Sequence, residues 1–273
     1  MTYNTLTVKI DDRVAVLTFN RPQVLNAFDA ELVGETMTVL SALAADEAVS
    51  AIVVSGAGRA FSAGFDLKAG AATAGERGLR EWRAVLETDF DFIMGFWHCP
   101  KPTIAAVHGY CIGGAFELSL ACDVTVAAQS TKFGAPEVKF GSGAVALLLP
   151  WVAGPKAAKE LLLTGDDQLS ADRALALGIV NHVVPDGEEM SRALVIARAM
   201  ATAAPNAVRL TKLAINRSFD AMGFRAALAS ALELDICIEA SGGTERAEFD
   251  RLRREQGLKA ALEWRDQRKP GQG

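Results

Sequence analysis

One stretch of the chain limits its fold more than any other. Two short apolar runs, residues 103–107 and 123–127, flank a segment in which Gly109, Gly113 and Gly114 lead into Ala115-Phe116-Glu117-Leu118-Ser119-Leu120. Apolar runs of this length, bounded by turn residues, read as buried strands. Glycines followed by an apolar run too long for a turn read as a loop feeding a helix. Strand, loop, helix and strand in succession predict α/β architecture with parallel pairing. They also predict a buried helix with one carboxylate, Glu117, in its first turn. A lone buried carboxylate is costly unless it has a partner or a function.

The rest of the chain fits this frame. Residues 6–10 and 14–19 alternate about Asp11-Asp12-Arg13, a hairpin signal. Asp29 precedes a helical pattern with Leu32, Val33, Thr36, Val39, Leu40 and Leu43 on one side. A short buried strand is predicted over 51–54, a helix over 82–97 ended by Pro100 and Pro102, and a fourth strand over 179–184. From Asp186 on, the pattern is helical nearly to the end, with breaks at Pro205 and Gly242-Gly243. No linker splits the chain and no fixed-period repeat is present. The expected organisation is a core over residues 1–200 that holds the active site, followed by a helical C-terminal region over 201–273.

Composition removes several classes of function. Half of the 273 residues are hydrophobic, enough for a large core, and the formal charge of −5 argues against a nucleic-acid partner. The basic run Arg251-Leu252-Arg253-Arg254 lies among acidic residues and reads as a solvated helix face. Cys99, Cys111, Cys122 and Cys237 form no C-x-x-C pair and sit in apolar surroundings, as reduced core cysteines do. Residues 1–12 lack the order of a signal peptide and no apolar run is long enough to span a membrane, so the expected location is the cytoplasm.

Neither a Gly-Lys dipeptide nor a G-x-S-x-G frame occurs, which excludes a Walker A loop and the usual nucleophile elbow. His98, His108 and His182 are not spaced as metal ligands, and no metal is expected. Gly141-Ser142-Gly143-Ala144-Val145-Ala146 matches G-x-G-x-x-A. The residues before it, Pro136-Glu137-Val138-Lys139-Phe140, make a poor buried strand, so a dinucleotide site is not expected there.

Three segments together resemble the enoyl-CoA hydratase/isomerase (crotonase) superfamily. They are Gly58-Arg59-Ala60-Phe61-Ser62-Ala63-Gly64-Phe65-Asp66-Leu67, residues 101–123 with Gly113-Gly114 and Glu117, and Lys132-Phe133-Gly134-Ala135-Pro136-Glu137. Weaker matches at Asn20-Arg21-Pro22, Asn26-Ala27, Leu162-Leu163-Thr164-Gly165 and Gly178-Ile179-Val180-Asn181 extend the likeness over nearly the whole chain. The resemblance implies a spiral of repeated β-β-α units with helices that aid assembly into a homotrimer or hexamer. It implies an acyl-CoA substrate, with coenzyme A part of that substrate and no separate cofactor. The backbone N–H groups of Phe65 and Gly114 would hold the thioester oxygen, as free amides at a helix N-terminus can. Ala63, Gly64, Phe65, Asp66, Leu67, Gly113 and Gly114 would border the substrate.

Hydration of a 2-enoyl thioester needs one group to activate water and another to deliver a proton at C2. The resemblance gives these roles to Glu117 and Glu137 respectively. Relatives that only isomerise a double bond or hydrolyse a thioester often keep one glutamate or replace one, so retention of both favours a hydratase, with an isomerase, a hydratase-lyase or a thioester hydrolase of the same fold as the alternative. A non-catalytic acyl-CoA or RNA binder is the remaining alternative. Two departures bear on substrate choice. Phe65 stands where the family commonly has a small residue, and its ring must pack against substrate or a nearby loop. Residues 141–151 lack the expected Pro-Gly and Gly-Gly and are expected to reshape the acyl pocket.

Overall fold

The computed structural model describes residues 3–68 and 77–268. The first strands, β1 (Leu6–Asp11) and β2 (Val14–Phe19), form the expected hairpin. Asp12 and Arg13 both take positive φ, as a two-residue turn matched to strand twist requires. Helix α1 (Ala30–Ala45) begins at Asp29, whose carboxylate accepts from the Leu32 N–H at 2.9 Å. It buries the same six residues the periodicity selects.

Strand β3 (Ala51–Gly56), helix α2 (Leu79–His98) and strand β4 (Thr103–Val107) follow. A short strand β5 (Tyr110–Ile112) then leads into α3 (Gly114–Ala121), and β6 (Val124–Ala128) and β7 (Lys132–Gly134) come next. Beyond the site loop lie α4 (Leu149–Val152), α5 (Gly154–Thr164), β8 (Leu169–Ser170), α6 (Ala171–Ala176) and β9 (His182–Val184). The chain finishes in five helices: α7 (Glu189–Thr202), α8 (Pro205–Ala221), α9 (Phe224–Ser241), α10 (Thr244–Gln256) and α11 (Leu258–Gln267).

One six-stranded sheet runs β1-β2-β3-β4-β6-β9, parallel except for the hairpin, and a small second sheet runs β5-β7-β8. Both faces of the large sheet are covered, which explains its unbroken apolar strands. Ile52, Val54, Ala105 and Val107 face the main core. Ala51, Val53, Ile104 and Ala106 face the other way, onto Ala193, Ala197 and Ala201 of α7. In the main core Phe19 meets Phe28 and Phe61 edge-on, with centroids 5.3 and 5.8 Å apart. Each such side chain contributes about 1.5–3 kcal/mol through burial. All eight residues of α3 are buried, so it is apolar on every side, Glu117 and Ser119 excepted.

Several expectations need correction. The segment read as a loop between β4 and α3 contains a strand, β5, paired with β7. The C-terminal helices break at Gly223 and Gly257 as well, both with positive φ, where glycine avoids the steric penalty of that conformation. Cys99, Cys111 and Cys122 are buried, but Cys237 is exposed. Arg253 is no solvated residue: it is 7% exposed, pairs with Asp250 at 2.8 Å, and donates to the Leu67 carbonyl. It thereby ties α10 to the loop after β3. Among the described residues no helix is long and apolar enough to cross a membrane.

Candidate active site

The two loops and two glutamates singled out in the sequence converge. Residues 60–66 are held from below by Asn26, fully buried and at φ +54°. Its amide donates to the carbonyls of Ala57, Ala60 and Phe61 at 2.8, 2.9 and 3.3 Å, and its own carbonyl accepts from Ser62 Oγ at 2.8 Å. Ser62 Oγ in turn accepts from the Gly64 N–H at 3.1 Å. Single bridges, Phe28 to Phe65 and Ser62 to Cys111, then fix the loop against β5. Asp66 faces Arg21 at 3.5 Å, and Arg21 reaches Asp29 at 2.7 Å.

Asn26 and Ser62 are positioning residues that the sequence motifs contained but whose role spacing alone did not disclose. The signal was an asparagine, one of the few residues that tolerate left-handed backbone. Asn26→Ala removes three donated bonds and strands their buried carbonyls. It should destabilise the protein by about 2–4 kcal/mol in urea denaturation and lower turnover as well. An unchanged midpoint would show that the loop is held some other way.

This loop meets the start of α3 closely. A Cβ on Gly64 would lie 2.5 Å from the Ile112 carbonyl and 3.1 Å from the Gly114 nitrogen. Only glycine permits that approach, and φ of +82° at Gly64 adds a second reason. Gly114 is the first residue of α3, so its N–H is one of the amides a helix leaves free. Among the described residues neither it nor the Phe65 N–H donates to a backbone acceptor. The Phe65 ring answers where that side chain goes: it lies over Gly114, where a Cβ would come 2.4 Å from Cε2, and meets Phe28 and Phe92 edge-on.

Glu117 follows within the first turn of α3 and is 7% exposed. Its Oε1 accepts from the Ala146 N–H at 3.0 Å. Glu137 opens a 3-10 turn, Glu137–Phe140, whose end stacks Phe140 on Phe249 of α10 at 4.9 Å. Its Oε1 lies where a side chain on Gly113 would put a Cβ, 2.7 Å away, and its Oε2 is buried without a hydrogen-bond partner among the described residues. Glu117 and Glu137 line one small cavity of about 10 Å³, space for roughly one water. Ala144, Ala146, Leu147, Leu148 and Leu149 complete much of its wall.

The electrostatics favour protonation. Burial, and then the Glu137 charge, push Glu117 well above the usual carboxylate range, only partly offset by the Ala146 amide. Burial also raises Glu137 to about 7, against the pull of its own backbone amide and of Arg265, with Asp235 and Glu239 adding to the rise. Two acids this close titrate as a pair. The folded state therefore holds protons that the unfolded chain releases above pH 4.5. Stability from this site is full below that pH and is lost as pH rises through 7. Glu137→Gln should thus leave stability near pH 4 unchanged and raise it at pH 8, by on the order of 3 kcal/mol. Equal melting temperatures for both proteins at pH 8 would contradict this.

The sequence profile of the enoyl-CoA hydratase/isomerase family matches residues 9–245. The chain belongs to that family. Its relatives include a probable enoyl-CoA hydratase of Mycobacterium tuberculosis, 35% identical over 232 residues, covering 81% of this chain and 84% of that one. A short-chain-enoyl-CoA hydratase of Clostridium acetobutylicum is 33% identical over 226 residues, covering 80% and 83%. Among solved structures, an enoyl-CoA hydratase/isomerase from Xanthobacter autotrophicus Py2 superposes with a TM-score of 0.96 at 48% identity, covering 99% of this chain and all of that one. The two sheets and the helical C-terminal region are therefore those of the crotonase fold.

Proposed function

We propose that this protein hydrates a 2-enoyl-CoA thioester to the 3-hydroxyacyl-CoA. The observation that carries the reading is the convergence on one small cavity of two buried carboxyls beside a free helix-terminal amide. In this reading the Phe65 and Gly114 N–H groups bind the thioester oxygen and stabilise the enolate that forms when water adds at C3. Glu117, held by Ala146, directs and deprotonates that water, and Glu137 gives its proton to C2. Two coupled carboxyls suit both steps, since one member must accept a proton and the other donate one, and a proton can be shared between them. The named relatives, a probable enoyl-CoA hydratase and a short-chain-enoyl-CoA hydratase among them, support the substrate class.

The small cavity wall of leucines suggests a restricted acyl group, and Phe65 over Gly114 narrows the approach further. The decisive measurement is a panel of straight, branched and cyclic 2-enoyl-CoA substrates, with products identified by mass. A gain of one water with no free coenzyme A supports the hydratase. Double-bond migration without a mass change, or release of coenzyme A, replaces it with an isomerase or a hydrolase. The same reading takes the protein to be a homotrimer or hexamer, and a monomer by light scattering would remove that part.

A further inference from the structure

Resting on the hydratase reading, we propose that Asp235 is a positioning residue for both glutamates: its buried carboxyl, pressed against Gly143, seats the segment 141–146 that spaces Glu117 from Glu137, and its charge opposes theirs. Asp235 lies on α9 in the apolar run Leu234-Asp235-Ile236 and is 2% exposed. Both its carboxylate oxygens are buried without a hydrogen-bond partner among the described residues. A Cβ on Gly143 would come 2.3 Å from its Oδ1, so carboxyl and glycine fill one another's space.

The segment resting on it touches each glutamate by a different bond. The Ser142 N–H donates to the Glu137 carbonyl at 3.0 Å, and the Ala146 N–H donates to Glu117 Oε1 at 3.0 Å. Ser142 Oγ donates to Glu239, one turn along α9 from Asp235. Helix α9 thus grips the middle of the segment while its two ends hold the two acids. A displacement of Gly143 moves both.

The surroundings give Asp235 no counter-charge of its own. Glu239 lies on its own helix. From α10, Arg246 pairs with Glu239 at 2.9 Å and with Asp250 at 3.2 Å. From α2 comes Asp89, which faces Arg77, and from the site side come Glu117 and Glu137. Among the described residues no group of acids, histidines or cysteines has the arrangement of a metal site. Burial, then Glu239, raises Asp235 to about 7; Arg246 and the Gly143 amide, which is close but short of hydrogen-bond geometry, offset this in part. Above that pH its charge resists ionisation of the glutamate pair. A leucine or asparagine at this position would cost less to bury, so a purely structural origin for the carboxyl is disfavoured.

Two variants of the full chain separate support from charge. Asp235→Asn keeps the shape against Gly143 and removes the charge. Its kcat for crotonyl-CoA on the acid side of the profile should fall far less than that of Asp235→Ala, while the alkaline limb moves to lower pH and turnover above neutral pH drops with it. The Glu117 and Glu137 carboxyl signals, followed by ¹³C NMR and assigned with the glutamine variants, should titrate lower with it. Asp235→Ala also removes the support, and kcat should fall by roughly 10–10²-fold at every pH with KM little changed. Glutamate titrations in Asp235→Asn that superimpose on wild type overturn the proposal. Absence of hydration by the wild-type protein overturns the hydratase reading instead, and the carboxyl titrations then still decide the role of Asp235.

Discussion

Glu137→Gln is expected to lower kcat for hydration by about 10²–10⁴ while the protein becomes more stable above neutral pH. The two effects have one cause. Burial raises this carboxyl to about 7, which keeps a proton on it where an ordinary carboxylic acid would have lost it. That proton is available for delivery to C2, and keeping the ionised form in the same place is what destabilises the fold at higher pH. Glutamine retains the size of the side chain and ends both the proposed proton transfer and the cost. Glu117→Gln should lose a similar factor, because its carbonyl oxygen still accepts from Ala146 but no longer takes a proton from water. Steady-state kinetics with crotonyl-CoA, beside melting curves at pH 4 and 8, test both statements on the same samples. Wild-type turnover by either variant would remove the pair as acid and base.

What the sequence discloses and what it conceals follow from the range of the interactions involved. The hairpin, α1 with its Asp29 cap, the paired strands β3 and β4, and the loop–helix entry to Glu117 are written in local periodicity and in turn residues. They are therefore legible without a partner. Strand β5 is only three residues long and owes its existence to β7, more than twenty positions away, so no local pattern announces it. Arg253 shows the same limit. Its basic neighbours suggest a solvated face, but the acceptor that buries it is the Leu67 carbonyl on a distant loop. At the site, the motifs point to Gly64, Phe65, Gly113, Gly114, Glu117 and Glu137, and the structure brings these together. The residues that hold them leave no such mark in the sequence. Ala146 acts through its backbone alone, and Asp235 sits in a helix whose alternating Leu-Asp-Ile-Cys-Ile-Glu sequence resembles any amphipathic surface until α10 and the 141–146 segment cover it.

The Gly114 amide can be isolated from its neighbours by combining substitutions. Gly114→Ala alone is expected to impair turnover for a steric reason, since the new Cβ falls 2.4 Å from the Phe65 ring and the ring's own backbone carries the other proposed oxyanion donor. Phe65→Ala opens that space. In the Phe65→Ala background, Gly114→Ala should therefore be nearly silent, and the pair should turn over faster than Gly114→Ala alone. Gly114→Pro in the same background differs from the alanine variant chiefly in lacking the N–H. Proline is well accepted at the first position of a helix, where that hydrogen has no helical acceptor, and Gly113 before it tolerates the restricted backbone. The helix should form and circular dichroism should match, yet kcat should fall by about 10²–10³ relative to Phe65→Ala, the usual effect of losing one oxyanion donor. The loss should appear in kcat more than in KM, because the amide is proposed to bind the enolate oxygen more tightly than the ground-state carbonyl. If the folded proline variant turned over as fast as its alanine counterpart, the charge on the thioester oxygen would have to be met by some group other than Gly114.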